Sequence, residues 1–281
     1  MMSLKKKHVL ERVFLRWLPL LVLLAFVMIP LLWTLSLSFK FSSDVVSERF
    51  SVLPNPFTLS NYTGAWLSGR ISQYFTNSVV VSLCAVAVVS ILVLFNGYAL
   101  SRFKFRGKQA FMVVMLMTQM LPRIIIISPL YLLMRDLGLV DKFLSVILVE
   151  IASAIPFQTL LMKGFIGGVP KEIDEAAMID GCTRMQTLFH VIMPVIVPGI
   201  VTVISFAFIN CWNEYLLPYT FLSTGSKFPI SVGLRYMITQ TTINYSGLAA
   251  GAVIALLPPL CLFGYVQRYL VSGMSAGALK G

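Results

Sequence analysis

The sequence predicts an all-α polytopic membrane protein with six transmembrane helices and both termini in the cytoplasm. Three observations carry that expectation. First, 58% of the 281 residues are hydrophobic, 12% are charged, and the mean hydropathy is +0.86. A soluble domain of this size carries about a quarter charged residues. Second, six apolar runs match the ~20 residues that one bilayer crossing needs: 15–37, 74–100, 110–134, 143–162, 189–222 and 247–271. Third, Lys and Arg are distributed unevenly between the segments that join these runs, and that bias sets orientation.

The first run, 15–37, follows a basic tail, residues 1–14. It is longer than a signal-peptide core and has no small-residue cleavage site, so it reads as an uncleaved first transmembrane helix. Residues 38–73 form a polar loop with turn signals at LPNPF and SNYTG. Residues 74–271 form the transmembrane core, with connecting segments at 101–109, 135–142, 163–190 and 223–246, and residues 272–281 form a tail.

Orientation follows from the cations. The basic tail with Arg16, the segment SRFKFRGKQ, the 163–190 loop and the C-terminus together supply fourteen Lys and Arg. The opposite side has seven: Lys40, Arg49, Arg70, Arg135, Lys142, Lys227 and Arg235. The richer side is cytoplasmic, which makes 38–73 a periplasmic loop. The net charge of +11 does not indicate nucleic acid, because the cations cluster between apolar runs without interleaved aromatics. Cys84, Cys182, Cys211 and Cys261 make no CxxC and no Cys/His spacing with His8 or His190. Neither a metal site nor a disulfide framework is expected, and the cysteines read as small hydrophobes.

One cytoplasmic stretch stands apart. Residues 171–185, KEIDEAAMIDGCTRM, carry four acids, two adjacent alanines and a glycine. Pro170 suits a helix start, and Glu172, Asp174 and Glu175 fall where the helix dipole favours negative charge. Gly181 stops that helix. Thr183 and Gln186 have capping-box spacing, so a second helix starts there and rises into the fifth run. On the first helix Glu172, Ala176 and Ile179 share a face, bordered by Glu175 and Asp180. Anionic lipid headgroups would repel so acidic a surface. Two readings of the residues stand: a docking knob for another protein, with thin alanines and carboxylates for its arginines, or a solvated loop helix.

The motifs here resemble a known family. EAAMIDG at 175–181 followed by IMPVIVPG at 192–199 resembles the EAA loop of ABC importer permeases. NPFTLSNY (55–62), NGYALSRFKFRGKQ (96–109), TQMLPRIIIISPLYLLMRDLGLVD (118–141), FINCWNEYLLP (208–218) and VQRYLVSGMSAGALKG (266–281) are similar to segments of sugar-type, maltose-system-like permeases, in family order. The resemblance covers most of the chain after about residue 50.

It implies a type I ABC importer permease fold in a bacterial or archaeal cytoplasmic membrane, in contact with lipid. The implied partners are a homologous second permease, two cytoplasmic ATPases, and a periplasmic or lipid-anchored binding protein that delivers a carbohydrate. Glu172, Glu175, Ala176, Ala177, Ile179, Asp180 and Gly181 would couple to an ATPase, with Asp180 and Gly181 setting the bend, and the tail 272–281 would reach the same interface. The short helix, locked onto the fifth transmembrane helix, would transmit the motion. GFIGGVPK at 164–171 lacks phosphate-loop spacing. This chain is therefore expected to bind no cofactor and catalyse nothing, with ATP and Mg held by the ATPases.

Charges within apolar runs cost ~2.5–3.5 kcal/mol at a helix centre. Arg123, Glu150 and Glu214 are accordingly candidates for the solute pathway. Gln119, Asn210, Trp212 and Asn213 join them, since amides beside an aromatic ring suit sugar hydroxyls and faces. The alternative is polar packing against the partner permease. Arg123 has three readings: a cation for an acidic sugar, a partner of Glu150, or an exposed group near the membrane edge. A stand-alone secondary transporter or channel is the rival class; it predicts a pair of interrupted helices or a proton-relay set at matched positions in two halves, and the sequence displays neither.

Overall fold

The computed structural model describes residues 13–46, 51–238 and 244–278, without the side chains at 13, 16, 46 and 270–278. Most of the basic tail, Arg49 and Lys280 therefore lie outside the described residues. The chain divides into two compact units, one of residues 1–71 and 236–255, the other of 72–235 and 256–281.

In the first unit a π-helical turn, Val13–Trp17, leads into α1, Leu18–Ser38. Leu, Val, Ile and Phe cover α1 on all sides and lie exposed, as in a helix whose solvent is lipid. The described residues of 38–73 are not all loop. They form α2, Ser42–Val46, and α3, Ser60–Leu67. Asn61 explains the order: its buried amide donates to the carbonyls of Ser38 (2.9 Å) and Lys40 (2.7 Å), which the end of α1 leaves free.

The second unit contains nearly all of α4, Ile71–Arg102, then α5, Lys108–Met120, α6, Arg123–Asp136, and α7, Phe143–Gly167. The short α8, Lys171–Ile179, precedes α9, Arg184–Val195, which has a π-helical stretch at Thr187–Ile192. α10, Val197–Asn213, α11, Leu216–Phe221, and α12, Ile230–Tyr236, follow. α13, Tyr245–Ala278, begins in the first unit, ends in the second, and continues past residue 271 into the expected tail.

Among the described residues four helices are long and apolar enough to cross a membrane: α1, α4, α7 and α13. The expected third and fifth crossings are each broken. α5 and α6 meet at 100°, and α9 and α10 at 84°. With each bent pair counted as one crossing, the total among the described residues reaches six. The breaks have a local cause. Pro122 forces Leu121 out of the helical region, to ψ 124°. Pro194 and Pro198 lack the N–H groups that would carry a straight helix through Ile196. Run 189–222 is interrupted again at Glu214 and Tyr215.

The core joins α4, α7, α9 and α10 through Val89, Val93, Met162, Ile166, Leu188, Ile192 and Val203. α4 and α7 approach closely because Gly97 has no Cβ, which would strike the Met162 side chain.

Candidate functional site

Two regions hold the residues singled out by the sequence. The first is α8 with its flanks. Pro170 is extended and α8 starts behind it. Gly181, at φ +87°, ends it. The Gly181 amide donates to the Met178 carbonyl (3.1 Å) and the Cys182 amide to the Ala177 carbonyl (3.0 Å), the paired bonds of a Schellman motif. The capping box of Thr183 and Gln186 then opens α9, with the Gln186 amide donating to Thr183 Oγ1 and the Thr183 amide to Gln186 Oε1.

This geometry fixes which side of α8 is free. Glu172, Glu175, Ala176 and Ile179 are exposed, at the i, i+3, i+4, i+7 spacing of one face. Ile179 is 86% exposed, an apolar tip on an acidic surface. Asp180 and Gly181 are exposed beside it. Ala177 is buried within the chain, unlike its exposed neighbour Ala176.

Asp174 is also buried, and sequence reasoning gave it no role beyond the helix dipole. Its Oδ2 lies 2.5 Å from Arg102 Nε at the end of α4, with both side chains about 5% exposed or less. Arg102 also donates to the Val169 carbonyl at 3.0 Å. Burial pushes the Asp174 carboxyl above its usual range, while the Arg102 guanidinium draws it back. Nothing local signalled this pair, because its members are 72 positions apart.

The second region is a cavity of about 90 Å³ among α4, α5, α6, α7 and α10. Gln119, Arg123, Glu150 and Asn210 line it together, as do Ser153, Gln158 and Cys211. The α7 contribution is a single stripe, Glu150, Ser153, Ala154, Phe157 and Gln158. Glu150 Oε1 and both amide atoms of Gln158 are buried without a hydrogen-bond partner among the described residues. Gln158 was missed, although its spacing from Glu150 and Ser153 was readable. Arg123 pairs with Glu214 rather than Glu150: Nη1 lies 2.5 Å from Glu214 Oε2. Glu214 Oε1 also accepts the amides of Leu216 (2.9 Å) and Leu217 (3.2 Å). Trp212 turns away from the cavity, stacked on Phe208 and edge-on to Phe75. Asn213 is exposed and does not line it.

Residues 94–276 match the family described as binding-protein-dependent transport system inner membrane component. The chain belongs to that family. This permease is 32% identical over 252 residues to the diacetylchitobiose uptake system permease protein DasC of Streptomyces coelicolor, covering 90% of this chain and 91% of that one. It is 32% identical over 268 residues to the galactooligosaccharides transport system permease protein GanQ of Bacillus subtilis, covering 92% and 94%. Among solved structures, a chain of a bacterial ABC transporter for import of the acidic polysaccharide alginate superposes with a TM-score of 0.82 at 24% identity, over 92% of the permease and 97% of that chain. The permease fold is therefore that of an ABC importer.

Proposed function

We propose that this permease is one of the two membrane subunits of an ATP-driven importer for a carbohydrate, supplied by an extracytoplasmic binding protein. The observation that carries the reading is the free face of α8. Glu172, Glu175, Ala176 and Ile179 are offered outward, while Asp174 and Ala177 hold the helix to the chain. A surface helix so anchored, acidic and tipped by an exposed isoleucine, fits a groove with an apolar floor and basic walls on an ATPase. Its side of the membrane is the cytoplasmic one, because the Lys and Arg count favours it. ATP and Mg belong to the ATPases.

Carbohydrate is supported from two directions. Several curated relatives are named for oligosaccharide uptake, DasC and GanQ among them. The cavity offers amides, a hydroxyl and a carboxylate against Phe157, the donors, acceptors and ring that a polyol uses. At about 90 Å³ it holds only part of a sugar ring. The second permease supplies the rest of the site, and the two open alternately to either side as the ATPases close and part.

Arg123 argues against an acidic sugar as its ligand, since Glu214 already neutralises it. With that cation taken, the wall's amides and hydroxyl favour a neutral solute.

Purification tests the reading. Purified from its native membrane, the chain is expected to co-elute with an ATPase and a second permease, and the loaded binding protein to stimulate hydrolysis. A stable assembly of this chain alone that moves sugar without ATP would replace it with a secondary transporter.

A further inference from the structure

The path from α8 to the cavity is the open mechanical question, and it rests on the proposed coupling. The route by sequence, onward through α9 into α10, turns 84° at Ile196 and passes a π-helical stretch and two prolines. A bend of that size absorbs a push rather than relaying it along an axis. α4 is the straighter rod. One continuous helix of 32 residues runs from Ile71 to Arg102, with Ala85, Val86 and Val89 in the cavity wall and Arg102 at its end. The thirteen residue steps from Val89 to Arg102 span ~20 Å.

We propose that Arg102 and Asp174 are positioning residues that fasten the coupling helix to α4, so that displacement of α8 is delivered to the cavity wall through this ion pair. Three features support the assignment. The pair is buried, so water does not screen it. Arg102 simultaneously holds the Val169 carbonyl just ahead of α8, which ties both the helix and its approach to one guanidinium. α4 is packed against α7 at Gly97, so the two helices that line the cavity and reach α8 move together. The other polar links from this end of α4 are weaker: Tyr98 donates to the Arg184 carbonyl at 3.4 Å, and Arg184 lies 5.7 Å from the Phe103 ring centre.

The test uses the whole importer, with Cys84, Cys182 and Cys261 replaced by alanine so that Cys211, in the cavity wall, is the remaining thiol of this chain. Its modification by methyl methanethiosulfonate is timed at rest and after trapping with ATP, Mg and vanadate. The expected result is an about tenfold change in rate on trapping for the parent complex, reduced to about twofold or less in Asp174→Asn and Arg102→Met. Co-elution and the extent of trapping stay at the parent level, which a purely structural defect would not allow. Arg102→Met/Asp174→Leu removes both buried charges and keeps assembly should a single variant not co-elute; it too is expected to lose the rate change. Parent-like switching in Asp174→Asn, or its return in the double variant, would overturn the latch while leaving the importer reading intact. A parent complex that traps no nucleotide would instead remove the importer reading itself.

Discussion

The Glu214 carboxylate divides its two oxygens between a cation and a helix start: Arg123 holds Oε2 at 2.5 Å, and the amides of Leu216 and Leu217 hold Oε1. The two residues are thus unequal partners. Arg123 is 53% exposed, so truncating it to alanine is expected to cost no more than ~1 kcal/mol. Glu214→Ala also leaves two backbone donors without their acceptor and is expected to cost ~1–3 kcal/mol. Thermal melting of the purified complex measures both, and the larger loss belongs to Glu214.

The adjacent alanines of α8 separate docking from folding. Ala177 is buried, so Ala177→Leu overfills the core at a cost of ~1–3 kcal/mol. Ala176 is exposed, so Ala176→Leu leaves the melting temperature nearly unchanged and instead weakens co-elution with the ATPase. Melting and pull-down on the two variants give opposite orders.

Gln158 trades stability for function. Its amide is buried with neither atom partnered among the described residues, which costs ~1–3 kcal/mol. Gln158→Leu is therefore expected to raise the melting temperature while lowering solute-stimulated ATP hydrolysis. A variant that gains stability and keeps full stimulation would show that the cavity does not hold the solute through this amide.

At the other end of α7, Asp141 accepts from Lys227 Nζ (2.7 Å), the Thr224 hydroxyl (2.6 Å) and the amides of Ser223 and Thr224 (2.9 Å each). The Lys227 contact and these donors hold its carboxyl well below the usual carboxylate range. The folded-state value is depressed, so the stabilisation is present above the unfolded value of about 4 and is lost as pH falls through the folded one. The melting difference between parent and Asp141→Asn is expected to be constant from neutral pH down to about 4 and to shrink below it.

Composition and apolar runs were enough for an all-helical membrane protein, since hydropathy over ~20 residues needs no partner to be read. The glycine stop at 181 and the capping box at Thr183 were legible for the same reason: both are local, and the structure has them. The break at Leu121 was not placed, although Pro122 is in plain view, and at Pro194 and Pro198 the residues left a bend and a plain kink both open. A proline in an apolar run either kinks a helix or ends it, and packing against other helices decides which. The pairings Arg102–Asp174 and Arg123–Glu214 join residues 72 and 91 positions apart, and only the fold brings them together. The inward turn of Ala177 follows from the first of them, because Asp174 and Ala177 share a face.

The central claim is that the free face of α8 lies in the cytoplasm and is covered there by an ATPase. Ile179→Cys, in a chain whose four native cysteines are replaced, tests it with a membrane-impermeant thiol reagent. The account predicts labelling in inverted vesicles and none in intact cells, with the vesicle labelling suppressed when the ATPases are bound. Labelling from outside the cell, or an equal rate with and without ATPases, would contradict it.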